Sequence, residues 1–264
     1  MTQTQHLQQI ILSIMKDIDK LCRENSIEYY LFGGSALGAK RHSGFIPWDD
    51  DLDIVLLPEY YSKFIEVCKQ KLDKSKYTLQ EGGVDWPEHF SKIRLKGTHI
   101  KEVGEMHYDA DMDGIYVDVF RVDYAADNKA KRAVQYFFGK LLLAHNMNQK
   151  KYKSDSLSKK IISNLANTLN WKPLHHMVEK CYFKYNSTPT NWVSDVMGRT
   201  RWHSAFVPRA IYGKPTEIVF EDTKFFAHED VDGYLKITYG NYMQLPPAEK
   251  RCGLHIVNVD FGKY

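Results

Sequence analysis

No cysteine pair in this chain stands at a redox or zinc-ligand spacing. Cys22, Cys68, Cys181 and Cys252 are scattered, which predicts reduced thiols rather than a disulfide framework. His175-His176 and His203 have no partner at H-x-x-x-H spacing, so zinc is not expected. No apolar run approaches the roughly 18 residues of a membrane span, and Met1 to Gln9 lacks the basic and apolar regions of a secretory signal. The expectation is a cytoplasmic protein. Internal repeats, low-complexity linkers and a basic, aromatic nucleic-acid module are also missing, so no nucleic-acid partner is expected.

What remains is an ordinary globular composition, with 43% hydrophobic and 26% charged residues in 264. Such a length can bury most of its apolar surface without staples. The reading is one domain, 1–264, whose part at about 125–190 is a helical, lysine-rich insertion or appendage. The formal charge is only +3, but it is uneven. Residues 140–187 hold nine lysines against Asp155 and Glu179. Such a block suits a solvated helix face or an anionic surface.

Apolar residues at Leu7, Ile10, Ile11, Ile14, Ile18 and Leu21 predict a helix over about 5–24. Ile27 to Phe32 reads as a short buried strand ending at Gly33-Gly34, with Ser35 capping a helix from Ala36 to Arg41. Asp51 to Leu57 reads as a second strand, and Pro58 opens a helix ending near Leu72. Further strands are expected at His89–Leu95 and Gly114–Val122. Helices follow over Asn128–Asn186, broken near Asp155 and Lys172-Pro173. A strand pair around Ile218–Phe226 and a helix from about Glu229 close the pattern. The fold class is α+β, a mixed sheet flanked by helices.

Residues 49–53 place four acids in five positions, which is costly without a cation or solvent to offset their repulsion. On a strand, Asp51 and Asp53 share a face and suit one hard divalent ion such as Mg²⁺. Asp118, amid an otherwise buried-looking strand, is the candidate third acid; the alternative is a carboxylate paired with Arg94 or Arg121. Gly33-Gly34-Ser35 reads as a turn at a helix N-terminus, whose amides can meet phosphate. Arg41, Lys92 and Arg94 are the candidate positive charges. The runs starting at Asp49 and Asp109 fail the EF-hand template, because position 12 is Tyr60 or Phe120; a lone ion near Asp111 stays open.

The run Gly33-Gly34-Ser35-Ala36-Leu37-Gly38-Ala39, then Arg41-His42-Ser43-Gly44-Phe45-Ile46-Pro47-Trp48-Asp49-Asp50-Asp51-Leu52-Asp53-Ile54, closely resembles the LicD family of phosphotransferases, related to the fukutin group. The resemblance extends through Val117-Asp118-Val119-Phe120 and Tyr239-Gly240-Asn241-Tyr242, and on to Lys250-Arg251 and His255; it is weakest over about 125–190. Arg121 stands where the family often has proline.

The resemblance implies a nucleotidyltransferase-like fold and transfer of phosphocholine from CDP-choline to a hydroxyl of a cell-surface glycan precursor (capsule, teichoic acid or lipooligosaccharide), with release of CMP. Glycerol-phosphate or ribitol-phosphate transfer is the alternative, and a non-catalytic nucleotide- or glycan-binding protein is the second. Carried onto this chain, it implies that Asp51, Asp53 and Asp118 hold Mg²⁺ or Mn²⁺, with Asp118 also the general base. Gly34, Ser35, Arg41, Trp48, Lys92 and Arg94 would serve the phosphate or substrate, and Arg251 and His255 would touch donor or acceptor. A lipid-linked acceptor would bring the lysine block of 140–187 into peripheral contact with the inner face of the cytoplasmic membrane.

Overall fold

The computed structural model describes residues 1–102, 112–149, 157–198, 200–253 and 256–264. Helix α1, Gln3–Glu24, begins with a reciprocal capping box between Thr2 and Gln5. Its inner face buries Leu7, Ile10, Ile11, Ile14, Met15 and Ile18. Each such aliphatic residue contributes about 1.5–3 kcal/mol on burial. After β1, Tyr30–Leu31, comes α2, Gly33–His42. This helix starts earlier than expected: Phe32 is its N-cap, and Ser35 lies inside it rather than capping it.

Strand β2 runs Asp53–Leu56, and Pro58 occupies the first turn of α3, Pro58–Lys71. Strands β3, Tyr77–Gln80, β4, Ser91–Leu95, β5, His99–Glu102, and β6, Tyr116–Arg121, complete the first half. The main sheet has the order β1-β2-β6-β4-β3. Only β2 and β6 pair in parallel, in a register that sets Asp53 beside Asp118; β4 lies antiparallel on the other side of β6 and sets Lys92 beside Asp118. The sheet is therefore mixed.

Strand β7, Asp123–Ala125, leads into α4, Lys129–Gln149, then α5, Leu157–Ala166, and α6, Lys172–Tyr182. Pro173 sits in the first turn of α6, where its missing N–H costs no helical bond. The break expected at Asp155 falls outside the described residues. Strands β8, Trp192–Ser194, and β9, Phe206–Pro208, extend β7 into a second sheet. A short α7, Arg209–Tyr212, precedes the hairpin of β10, Thr216–Phe220, and β11, Thr223–Ala227, and then α8, Val231–Tyr239. The last strand, β12, Ile256–Asp260, pairs with β5.

Three apolar clusters hold these parts together. The largest joins α1, α2, α3, the main sheet, the β10–β11 hairpin and α8. A second lies among α4, α5, α6 and the second sheet, through Leu142, Ala166, Val178, Tyr182 and Phe206. The third, with Tyr30, Val55, Val122, Tyr124, Val193 and Tyr212, ties the main sheet to the second. No described helix is long and apolar enough to cross a membrane.

Candidate active site

The acids gather where β2 begins, beside the N-terminal end of α2. Strand geometry starts only at Asp53, so Asp51 lies on the approach to β2 and not on the strand itself. This approach is held down by backbone and side-chain contacts. The Asp53 N–H donates to Ser35 Oγ at 2.8 Å, and Gln8 Nε2 donates to the carbonyls of Ile46 and Asp49. Ser35 thus fastens β2 to α2 while its O–H remains a donor.

The two glycines explain how the segments approach so closely. Gly33 has φ +52°, a left-handed conformation that favours glycine, and a Cβ there would lie 3.4 Å from Asp53 Oδ2. A Cβ on Gly34 would meet Asp49 Oδ2 at 2.9 Å, so the Asp49 carboxylate would have to shift. The Gly33 amide donates to the Tyr234 hydroxyl of α8. Gly-Gly-Ser therefore seats the acidic segment against the helix.

Carboxylate oxygens of Asp49, Asp50 and Asp51 lie within 4.8 Å of one another, close enough to share one cation. Asp50 also accepts from the Ile256 N–H, tying the start of β12 to the acids. Burial, then the charges of Asp51 and Asp50, push the Asp49 carboxyl up to about 8. Burial followed by Asp51, Asp118 and Asp49 pushes Asp53 well above the carboxylate range. An all-oxygen donor set under this much repulsion fits a hard divalent cation. Sequence reasoning chose Asp51 and Asp53 by strand alternation; Asp49 was visible only as one of a run of acids.

Asp118 has a different environment. Lys92 Nζ lies 2.9 Å from its Oδ1, and both residues are buried, at 2% and 7% exposure. The ammonium also sits 3.4 Å from Glu102 and 3.3 Å from the Tyr116 ring centroid, with Trp86 and Phe90 farther out at 5.5 Å. Tyr116 in turn donates its hydroxyl to Glu102. Burial raises the Asp118 pKa more than Lys92 lowers it. For Glu102 burial also opposes ionisation, but Lys92, Tyr116 and Arg94 outweigh it and hold the pKa below the usual range. The partner of Asp118 is thus Lys92, not Arg94 or Arg121.

The other expected cations divide. Arg94 shares the strand face of Lys92, yet it is buried, donating to Gln80 Oε1 and the Gly114 carbonyl. It braces the sheet, and its charge also favours ionisation of Glu102 and Asp118. Arg121 pairs with Asp123 at 3.0 Å. Arg41 donates to the Tyr242 carbonyl and to His42; burial lowers its pKa, and Arg251 lowers it further. The Arg251 guanidinium lies 5.7 Å from the Trp48 ring, and His42 meets that ring edge-on. Arg41, Trp48 and Arg251 therefore form one basic, aromatic wall. His255 and Asp111 lie outside the described residues.

Tyr239, at the end of α8, is a site residue that the sequence reading quoted without giving it a role. Its hydroxyl is 3.7 Å from the position of a Gly33 Cβ, and burial followed by Asp53, Asp49 and Asp51 raises its pKa. No periodicity marks it; its place comes from α8 packing on α2.

Residues 26–138 match the model of the LicD/FKTN/FKRP nucleotidyltransferase domain. The chain is 24% identical, over 256 aligned positions covering 94% of each protein, to the lipopolysaccharide cholinephosphotransferase LicD of Haemophilus influenzae. Shorter similarities of 42% over 60 residues and 47% over 49 link it to uncharacterised proteins of Rickettsia typhi and Rickettsia prowazekii, covering 19% and 18% of those proteins. The glycine turn, the acidic approach to β2 and Asp118 of β6 all fall inside the matched segment, so the part of the chain that is similar to the LicD/FKTN/FKRP nucleotidyltransferase domain is the part that builds the site.

Proposed function

We propose that the protein is a phosphotransferase that moves phosphocholine from CDP-choline to a hydroxyl of a cell-surface glycan precursor, releasing CMP. The observation that carries this reading is the meeting of two unlike sets of acids, one where β2 begins and one on the neighbouring β6. One set is a crowd of carboxylates close enough to share a cation, and the other is a single carboxylate paired with a lysine. Similarity to a lipopolysaccharide cholinephosphotransferase along nearly the whole chain supports the choice of head group.

Asp49, Asp51 and Asp53 would hold Mg²⁺ or Mn²⁺, which when bound supplies positive charge to the donor diphosphate. Asp118 was expected among these ligands as well, but its ion pair with Lys92 favours a separate role. In that role Asp118 accepts the proton of the acceptor hydroxyl as its oxygen bonds to the choline-bearing phosphorus. The phosphorus–oxygen bond to CMP breaks, and CMP leaves with the electron pair. Burial raises the pKa of this base, which strengthens it as a proton acceptor. Arg41, Arg251 and Trp48 form the wall best suited to the nucleotide or its phosphates. Gly34 and Ser35 would meet the donor phosphates at the N-terminal turn of α2, while Arg94 is committed to Gln80 and the Gly114 carbonyl. A lipid-linked acceptor would bring the enzyme to the inner face of the cytoplasmic membrane.

Thermal melting with Mn²⁺ plus CDP-choline, CDP-glycerol, CDP-ribitol or CTP tests the donor, because a ligand of the folded state raises the midpoint. A shift largest with CDP-choline is expected. A larger shift with a CDP-polyol would transfer the assignment to polyol phosphate, and no shift with any donor would favour a non-catalytic binding protein.

A further inference from the structure

Helix α5 is assembled with its polarity reversed. Its contacts to α4 are polar: Asn148 Nδ2 donates to the Ser163 carbonyl at 2.8 Å and to Asn167 Oδ1 at 2.9 Å, while Ser163 returns its hydroxyl to Asn148. Among its described side chains only Ala166 enters the core, and its carbonyl lies 3.2 Å from His145 Nδ1. The aliphatic side faces outward. Ile161 is 61% exposed, Ile162 and Leu165 are also exposed, and their spacing sets all three on one stripe. A single 3₁₀ turn later, Trp171 is 66% exposed at the start of α6. Lys160 and Lys172, both exposed, flank this apolar stretch.

Isolated exposed aliphatic residues are ordinary, but a helix that spends its polar contacts inward and turns its isoleucines outward needs a partner for them. The combination of aliphatic stripe, tryptophan and flanking lysines matches what an anionic lipid surface rewards. The apolar chains enter the acyl boundary, the indole sits at the headgroup level, and the ammonium groups meet lipid phosphate. A second copy of the chain is disfavoured, because an isologous contact would set lysines against lysines. Nucleic acid offers no apolar layer for Ile161 and Leu165. We propose that the α5 face, continued through Trp171, docks the protein peripherally on an anionic bilayer. The proposal is independent of which head group the enzyme transfers.

The test is cosedimentation of the full chain with phosphatidylcholine vesicles, with and without about one-third phosphatidylglycerol. The native protein should pellet with the anionic vesicles, less so as salt rises. Ile161→Ser/Leu165→Ser and Trp171→Ser should each weaken partitioning, and together by at least about tenfold, with unchanged circular dichroism and melting midpoint. Lys160→Glu/Lys172→Glu should remove most of the preference for anionic lipid. Failure of the native protein to bind anionic vesicles, or binding unaltered in the variants, would overturn the proposal. So would a lipid-free dimer, seen by sedimentation equilibrium, that the same substitutions dissolve, because the face would then belong to a second copy.

Discussion

The acidic end of the main sheet and the outer face of α5 break the usual rules of burial in opposite directions. At the first, Asp49, Asp53 and Asp118 are drawn inward beside one another; at the second, Ile161, Ile162 and Leu165 are turned out. Elsewhere the chain follows the ordinary pattern: α1 buries its aliphatic stripe, and the buried Gln135 of α4 is satisfied by the Tyr124 and Tyr182 carbonyls. Departures of this kind mark the places where a structure is built for something other than its own stability. The chemistry of each place names what it suits: a hard cation at the acidic end and an apolar layer at the α5 face.

The sharpest way to break this contrast is to remove an acid. Asp53→Ala should abolish transfer while leaving the metal-free fold at least as stable, since it removes a repelling, buried carboxyl. Turnover and a melting curve on the same preparation check both halves. Lys92→Met should act in the opposite sense on stability, leaving Asp118 and Glu102 buried without their ammonium. Breaking a buried pair typically costs about 3–5 kcal/mol, which denaturant titration would read, and Lys92→Arg should recover part of it.

pH separates the two sets further. Because the Asp49 pKa is raised to about 8, the folded chain keeps a proton that the unfolded chain releases. Stability of the metal-free protein should therefore be highest at low pH for this group and fall as pH rises from about 4 to about 8. Melting across that window should show a smaller fall in Asp49→Asn. Gly33→Ala should cost about 1–2 kcal/mol through its left-handed backbone, measurable by the same denaturant titration. At the far end of the scale, Ile161→Ser and Leu165→Ser should change stability by less than about 0.5 kcal/mol; a larger loss would mean that this face is packed rather than open.

Local pattern made much of this legible. The period of α1, the proline-led start of α3, the β10–β11 hairpin and the strand placement of Asp118 all depend on neighbours in sequence. The site required more. Parallel pairing of β2 with β6 joins residues 65 positions apart, and nothing within either strand announces the other. Alternation correctly set Lys92 and Arg94 on one face, but only the neighbouring strands decide that Lys92 meets Asp118 while Arg94 turns to Gln80. Ser35 looked like a cap because serine usually is one there; α2 instead begins at Gly33, and the hydroxyl is taken by the Asp53 amide. Tyr239 and the pairing of β5 with β12 arise from chain ends folding back, which no window of sequence contains.

The most direct test of the central claim is to incubate the protein with Mn²⁺, CDP-choline and a lipid-linked glycan extract, then measure CMP release and phosphocholine on the glycan by mass spectrometry. The account predicts both products in equal amounts with the native chain and neither with Asp53→Ala. Glycan that gains no phosphocholine, or equal transfer by the Asp53→Ala protein, would contradict it.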